Sequence, residues 1–402
     1  MAWIEQFSVA GLAGRPETVT RKLNRHVNVF WGLNGAGKTT LLKILHAAMN
    51  NDANGLEELP FDEAEVVFRV GREEGRVVRR FSKTQEQDEP EDDTGEMFMS
   101  TDLSVDSPWE IETERPTDWE TIWDTADFSA RVVQGKFNHS YLPITRVTDS
   151  RRRGGPSYDY AGMNGRYSTD DIFVEQVRDR WRDYAIKSTS RIRDIQQQGL
   201  ATVLAILFGG FRGPQASLSK GGDVAPEEAY SLVQSFLREQ NLPLVMPKGA
   251  FVEKFDESPT HRQVVSEIQE VRRETDEVLS PQREFQRIID SMYAGNKHLV
   301  LSSPRTPRTA GSPPIGIRVK DKSIPLKSLS SGEKQLLQIL LETLGASGET
   351  VMIDEPELSL HVVWQRELVD SMQRVNEDCQ LLLATHSPEI MAEVPDDCVF
   401  EL

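Results

Sequence analysis

HVNVFWGLNGAGKTTLLKILHAAM, residues 26–49, is the stretch that decides how this chain is read. Its first six residues have the composition of a β-strand and its last nine the apolar spacing of a helix. Between them stands the Gly-rich octet Gly32-Leu-Asn-Gly-Ala-Gly-Lys-Thr39. That spacing belongs to a loop whose backbone N–H groups wrap phosphate oxygens. Gly32, Gly35 and Gly37 permit tight turns and a close backbone approach that side chains would block. Lys38 brings a point charge to the outer phosphates, Thr39 offers a hydroxyl to Mg2+, and a helix starting at Thr40 points its positive end at the anion. Gly32, Asn34, Gly35, Ala36, Gly37, Lys38, Thr39 and Thr40 are thus the candidate contacts for ATP, with Mg2+ as the accompanying ion. A Gly-rich turn without a ligand is the competing reading, and its placement between strand and helix counts against it.

Far downstream, TVMIDEPELSL (350–360) holds an apolar strand, Val351–Ile353, that ends in Asp354 and Glu355. Successive strand residues point to opposite sides, so Asp354 is the candidate metal-side carboxylate and Glu355 the base facing the attacking water. An acidic strand end beside the turn-forming Pro356 is the bland alternative. A second strand, QLLLATHSPE (380–389), delivers His386 at its C-terminal end, where parallel α/β sheets place their ligand sites. A lone histidine is more often a surface or core residue, but this position favours a γ-phosphate contact.

The phrase LSSGEKQLLQILLETL (329–344) contains Ser330-Ser-Gly-Glu333, a capping box that explains a helix start with no further role. A capped helix start with Ser330 and Gly332 exposed is also an anion site, able to reach a γ-phosphate held by another subunit. Both readings stay open on the sequence.

Composition sets the frame for these motifs. The chain has 402 residues, 38% hydrophobic and 27% charged, as in ordinary globular proteins of more than one lobe. Its longest strongly apolar run, 200–211, falls short of the ~20 residues a membrane helix needs, and the N-terminus lacks the pattern of an export signal. Cys379 and Cys398 match neither a disulfide framework nor a zinc spacing, so a reducing cytoplasm is expected. The net charge of −18 is local: from Thr84 to Asp127, sixteen Asp or Glu face only Arg115, leaving −15 there and −3 elsewhere. This acidic insertion, 84–127, reads as a solvated segment, or as an acidic docking surface aided by Trp109, Trp119 and Trp123.

Strands are expected at 3–10, 26–31 and near 139–145, and a hairpin from 65–70 and 76–81 about GREEG. RRRGGP (151–156) and the stretch to Ser168 read as a loop. From about Asp170 to Gly295 the signals turn helical. Val264, Ile268, Val271, Thr275 and Val278 make one apolar face, for core packing or for a coiled-coil arm, and Pro281 is expected to interrupt or kink that helix. SSPRTPRTAGSPP (302–314) reads as a flexible loop within a hairpin, after which the chain is expected to return to the first lobe.

Together these elements resemble the ABC ATPase head. Gly32–Thr39 stands as Walker A, Leu329–Glu333 as signature, 351–357 as Walker B, Ser359-Leu360-His361 as a D-loop, and His386 as the switch histidine. DEPELSLHVVWQ followed by LLLATHSPEI is similar to the OLD-like AAA ATPases, prokaryotic relatives of SMC-type repair ATPases that often serve in anti-phage defence or toxin systems. The resemblance covers about half of the chain and is silent in its helical middle. It implies an α/β, ABC-type P-loop ATPase head with an antiparallel β subdomain and a helical insertion. The head would comprise 1–168 and 296–402, and the insertion 169–295. It further implies catalysis by Lys38, Glu355 and His386, and Mg2+ held by Thr39 and Asp354. A homodimer or higher oligomer would have each ATP site completed by Ser330 and Gly332 of the other copy.

Two departures stand out: His361 replaces the usual Asp, and no convincing Q-loop glutamine exists, Gln134 being only a weak candidate. Lys38 and Leu329 lie about 290 residues apart, far more than in transporter subunits, so a membrane role is not expected. The chain runs only a short way past His386. The nuclease domain fused to many OLD proteins is therefore expected to be missing, and a separately encoded effector, a nuclease or toxin, is implied. Two rivals remain: a DNA-repair ATPase that contacts phosphates through Arg151–Arg153, Arg305, Arg308, Lys320 and Lys322, and a nucleotide-gated scaffold with little turnover.

Overall fold

The computed structural model describes residues 2–71, 75–83, 119–123, 135–144, 168–208, 224–239, 246–255, 258–302, 314–320, 322–346 and 348–402. It divides into two compact units, one from residues 1–166 and 346–402, the other from 167–345. The segment 296–345, assigned above to the C-terminal part of the head, is grouped with the helices.

The first unit holds two sheets. β1 (Ala2–Ala10) alternates buried and half-buried residues, with Ile4, Phe7 and Val9 inward, and pairs antiparallel with β2 (Val19–Lys22). β3 (Val27–Trp31) precedes α1 (Lys38–Asn50), whose Leu41, Leu42, Ile44 and Leu45 are fully buried, each worth about 1.5–3 kcal/mol. The helix begins two residues before the expected Thr40 because Gly37, in the left-handed region, serves as its N-cap. The expected hairpin forms as β4 (Glu63–Val70) and β5 (Gly75–Ser82), giving the sheet order β2-β1-β4-β5-β6.

The last strand, β6 (Glu120–Trp123), comes from the acidic insertion, and it corrects the reading of that segment. Trp119 is 5% exposed, packs on Phe81 at 5.8 Å between ring centroids, and donates its indole N–H to Asp52 O at 3.4 Å. It is a core residue and no part of a solvated docking surface; Trp109 and residues 84–118 lie outside the described residues.

Arg79 is fully buried beneath α1, donating to Ala48 O and, at 2.7 Å, to Gly135 O, with Phe137 4.4 Å away across its guanidinium. Burial pulls its pKa down to about 10. The cation meets the negative end of the helix that starts at the Gly-rich loop.

The second sheet is parallel, ordered β13-β3-β12-β11-β7, with β7 (His139–Leu142), β11 (Thr350–Asp354), β12 (Gln380–Thr385) and β13 (Val399–Glu401). β11 and β12 are buried along their whole length, as expected of a sheet covered on both faces. Gln380 fastens one sheet to the other: its amide donates to Ile4 O at 2.8 Å and accepts from Ile4 N at 3.0 Å.

The second unit is built on two long helices, α2 (Thr169–Leu207) and α5 (Pro259–Met292), with α3 (Pro226–Glu239) and α4 (Lys248–Phe255) alongside. Ser168 and Asp171 form a capping box at the start of α2. Val264, Ile268 and Val271 are buried, as their spacing predicts, and they belong to a helical core that also contains Val203, Phe236 and Phe251. α2 and α5 approach so closely at Gly199 that a Cβ there would lie 2.1 Å from Val271 Cγ2. Pro281 does not end α5, which runs on to Met292; Phe285, Ile288 and Ile289 beyond it are buried and hold the helix in register.

The expected hairpin about the 302–314 loop is present as β8 (Lys297–Leu301) and β9 (Ile315–Val319), extended by β10 (Lys322–Ile324). α6 (Ser331–Gly345) follows, with Arg180 of α2 paired to its Glu342 at 2.5 Å. No helix among the described residues is long and apolar enough to cross a membrane.

Candidate functional site

Residues from distant parts of the sequence meet at the C-terminal edge of the parallel sheet. β3 leads into the Gly-rich loop, where Gly35 and Gly37 have φ of 86° and 96°. A Cβ on Gly32 would come within 2.9 Å of Ala36 Cβ and 3.0 Å of Leu402 O, and one on Gly37 within 2.9 Å of Leu12 Cγ. Asn34 and Gly35 are exposed, Ala36 is buried, and Thr39 and Thr40 are half-buried at the start of α1. Lys38 is buried and donates from Nζ to Gly32 O at 2.9 Å and Leu33 O at 3.3 Å. The ammonium thus rests on its own loop's carbonyls.

Asp354 closes β11. It is 3% exposed, and neither carboxylate oxygen reaches a hydrogen-bond partner. Burial pushes its pKa up, against the opposing pull of the Thr39 hydroxyl, Lys38 and Lys43. A buried carboxylate short of hydrogen-bond partners and set beside a threonine hydroxyl fits a hard divalent cation such as Mg2+.

Glu355 reaches its place by a route that strand alternation does not predict. Its φ is 51°, a left-handed conformation rare for such a residue, and the strand has already ended at Asp354. Its N–H still donates to Ala384 O at 2.9 Å. One carboxylate oxygen stands 4.0 Å from Lys38 Nζ, and the other touches His386 Nδ1. Burial and then the neighbouring Glu357 raise its pKa, opposed by His386 and Lys38.

His386 is half-exposed and follows β12 directly. Glu357, which the sequence reading passed over, holds it: Glu357 Oε1 accepts from Thr385 Oγ1 at 2.6 Å and from the His386 N–H at 2.8 Å, with His386 Nδ1 at 3.1 Å. Glu355, Glu357 and His386 form one cluster of potential metal ligands. Tyr141 was missed as well; its hydroxyl is buried without a partner, and burial, then Asp354, push its pKa up. The spacing E-P-E ahead of a T-H strand end is the one trace of the Glu357 contact in the sequence.

His361 caps α7 (Val362–Val375), its Nδ1 accepting from Val363 N–H at 3.3 Å, which gives this departure from Asp a local use. Ser330 and Gly332 belong to the second unit. The capping box forms there, with Glu333 N–H donating to Ser330 Oγ at 3.3 Å and Ser330 N–H to Glu333 Oε2 at 2.9 Å. Ser330 is exposed but Gly332 is buried, against the expectation that both are open. The helix start is covered on one side, where Tyr293 donates to Glu333 O at 2.7 Å and Lys297 pairs with Glu333 at 2.5 Å. Lys320 and Lys322 are exposed at the β9–β10 turn. Gln134, Arg151–Arg153, Arg305 and Arg308 lie outside the described residues.

Residues 313–392 match the family described as "AAA domain, putative AbiEii toxin, Type IV TA system". Among solved structures, similar chains include an Smc head domain with an extended coiled coil bound to the C-terminal domain of ScpA, from Pyrococcus furiosus. It is 12% identical, with 98% of this chain and 92% of that one covered and a TM-score of 0.44. Another is an SmcHead bound to the C-winged helix domain of ScpA, 13% identical over 97% and 91%, TM-score 0.41. A third is an Smc head domain with a coiled coil and joint from Pyrococcus yayanosii, 12% identical over 100% and 95%, TM-score 0.40. The Gly-rich loop, the Asp-Glu strand end and the parallel sheet thus stand together in a mixed α/β chain whose residues 313–392 are similar to that AAA family.

Proposed function

We propose that the chain binds MgATP, hydrolyses it as a nucleotide-dependent pair of copies, and thereby controls a separately encoded effector. The observation that carries the hydrolytic part is the convergence of Lys38, Glu355 and His386, with Glu355 lying between the cation and the imidazole. On binding, Lys38 exchanges the carbonyls of Gly32 and Leu33 for phosphate oxygens, while the N–H groups of Gly35 to Thr40 surround the phosphates. Thr39 and Asp354 would hold Mg2+, which supplies charge neutralisation on the phosphate oxygens. Glu355 takes a proton from the attacking water, and His386 orients the γ-phosphate. The raised pKa of Glu355 suits a group that must accept that proton.

Ser330, an exposed residue whose hydroxyl also bonds Glu333, is the candidate contact across the pair at a helix start. Gly332 is retained in that role only through its backbone. The effector, a nuclease or toxin, and an anti-phage setting in the cytoplasm follow from resemblance to OLD-like ATPases; the family matched over 313–392 is itself described in toxin–antitoxin terms.

Phosphate release measured on the wild type and Glu355→Gln tests the reading. Turnover in the wild type alone, with ATP-dependent dimers trapped by the variant in sedimentation, is the expected outcome. Equal turnover in both sinks the assignment of the base, and strong metal-dependent DNA cleavage by the purified chain sinks the effector in trans.

A further inference from the structure

We propose that Glu355, Glu357 and His386 make a second cation site, suited to a borderline transition-metal ion with Zn2+ foremost, and that an ion held there arrests hydrolysis without displacing the nucleotide. The site stands on its own geometry, while its effect on turnover rests on the hydrolytic reading above.

Among the described residues these are the one grouping of three or more carboxylate, imidazole or thiol side chains whose ligand atoms all lie within 4.8 Å of one another. His386 Nδ1 stands 3.1 Å from Glu357 Oε1 and touches Glu355 Oε2. Ligand atoms around a tetrahedral Zn2+, with bonds of about 2.0–2.2 Å, lie about 3.3–3.6 Å apart, so small side-chain shifts open the cluster to that size.

Two observations turn proximity into a site. Glu357 is 6% exposed and its Oε2 is buried with no hydrogen-bond partner; Glu355 Oε2, the oxygen against the imidazole, is likewise buried and makes no hydrogen bond. Buried carboxylate oxygens short of partners carry an unmet solvation cost that a cation removes. The second observation is a frame that holds the ligands in place beforehand. Glu355 N–H donates to Ala384 O at 2.9 Å, while Glu357 Oε1 receives the Thr385 hydroxyl at 2.6 Å and the His386 N–H at 2.8 Å. Thr385 Oγ1 in turn accepts from Ser387 N–H at 2.9 Å, and Leu360 N–H donates to Glu357 O at 3.0 Å. Ligands oriented by such outer partners bind metal more tightly than free ones. The His386 side chain is 50% exposed, which leaves an ion a way in.

The donor set selects the ion. Asp354 and Thr39 offer oxygen alone, which suits Mg2+, an ion that keeps its waters and prefers hard ligands. An imidazole nitrogen beside two carboxylates suits Zn2+, which takes three protein ligands and leaves a fourth position open. An ion so held occupies the lone pair with which Glu355 takes a proton from water, and it ties down the histidine that faces the γ-phosphate. Lys38 and the loop N–H groups keep their hold on the phosphates, so binding persists while turnover stops.

The test titrates Zn2+, read by calorimetry, and Co2+, read by its visible absorption, into the untagged, nucleotide-free chain in excess Mg2+. One ion per chain is expected, with affinity weakened by about tenfold or more in both Glu357→Gln and His386→Ala. Glutamine keeps an oxygen for the Thr385 and His386 bonds, and His386 is half-exposed, so neither loss reports a failure to fold. Binding is expected to survive in Asp354→Asn and Cys398→Ser. No binding in excess Mg2+, undiminished binding in either Glu357→Gln or His386→Ala, or loss in Asp354→Asn or Cys398→Ser overturns the site. If the wild type releases phosphate, saturating Zn2+ is expected to cut kcat by about tenfold or more while affinity for a fluorescent ATP analogue holds. A bound ion with undiminished kcat overturns the inhibitory role. If the wild type releases no phosphate, the hydrolytic reading fails by itself, and the titrations still decide the site.

Discussion

The carboxylate-rich sheet edge of the first unit and the helix pair of the second use charge in opposite ways. At the sheet edge, Asp354, Glu355 and Glu357 are buried or nearly so, and raised pKa values mark Asp354 and Glu355 as groups the folded chain holds at a cost. Along α5, charge is cheap: Arg273 pairs with Glu270 and Glu277, and Arg287 with Glu284, on the open helix surface. One arrangement is the site proposed for a cation and a phosphate, while the other dresses a packed apolar stripe. Unpartnered carboxylate oxygens gather at Asp354, Glu355 and Glu357, whereas the charges along α5 stand in exposed pairs.

Substitutions test that contrast, beginning with the sharpest. Lys38→Ala removes the cation at the loop and is expected to weaken ATP binding by about a hundredfold or more, measured by calorimetry. Glu355→Gln is expected to retain binding and to cut kcat by about 10²–10⁴-fold. If binding and turnover fell together there, the distinction between holding and reacting groups would collapse.

Asp354→Asn separates function from stability. A carboxyl whose pKa is raised on folding stabilises the fold while protonated. That contribution is complete below the ordinary value of 3.8 and is lost as pH rises through the elevated one. The amide mimics the protonated form, so the ligand-free variant is expected to be more stable than wild type by about 1–3 kcal/mol near neutral pH and to show no gain in acid. Added MgATP should reverse the order. Denaturant melts at two pH values check this, and a variant less stable at neutral pH would mean that Asp354 is satisfied in a way its surroundings do not reveal.

In the helical unit, Gly199→Ala drives a methyl into the stiff side chain of Val271 and is expected to cost about 1–3 kcal/mol, read as faster amide exchange in α2 and α5. Arg273→Ala, at the other extreme, is expected to leave the melting temperature unresolvably changed, since its pairs are exposed.

Local signals carried much of this architecture. The loop at Gly32–Thr39, the strand ending in Asp354 and the histidine at 386 each announce themselves within about ten residues, because phosphate binding requires a fixed local backbone. The stripe on α5 was equally plain from its spacing. What stayed hidden depends on partners remote in sequence or on competition between forces. Trp119 lies among acids, and only the hairpin beside it shows that it packs inward. Pro281 breaks a rule of helix propensity that buried neighbours override. Gly332 looked open because nothing in the capping box reveals that its neighbour Glu333 is held by Tyr293 and Lys297. Glu357 needed the geometry of β12 before its oxygen had anything to accept.

The neighbours of β3 have a consequence for biosynthesis. Among the described strands, this one, which launches the Gly-rich loop, pairs only with β12 and β13, translated some 350 residues later. At roughly 5–20 residues per second, a nascent Walker loop waits on the order of tens of seconds for a sheet to join, while the helical unit has already emerged from the ribosome. If the proposed site binds ATP, nucleotide competence is among the last properties the growing polypeptide acquires, and an unfinished copy has no assembled sheet edge to support it.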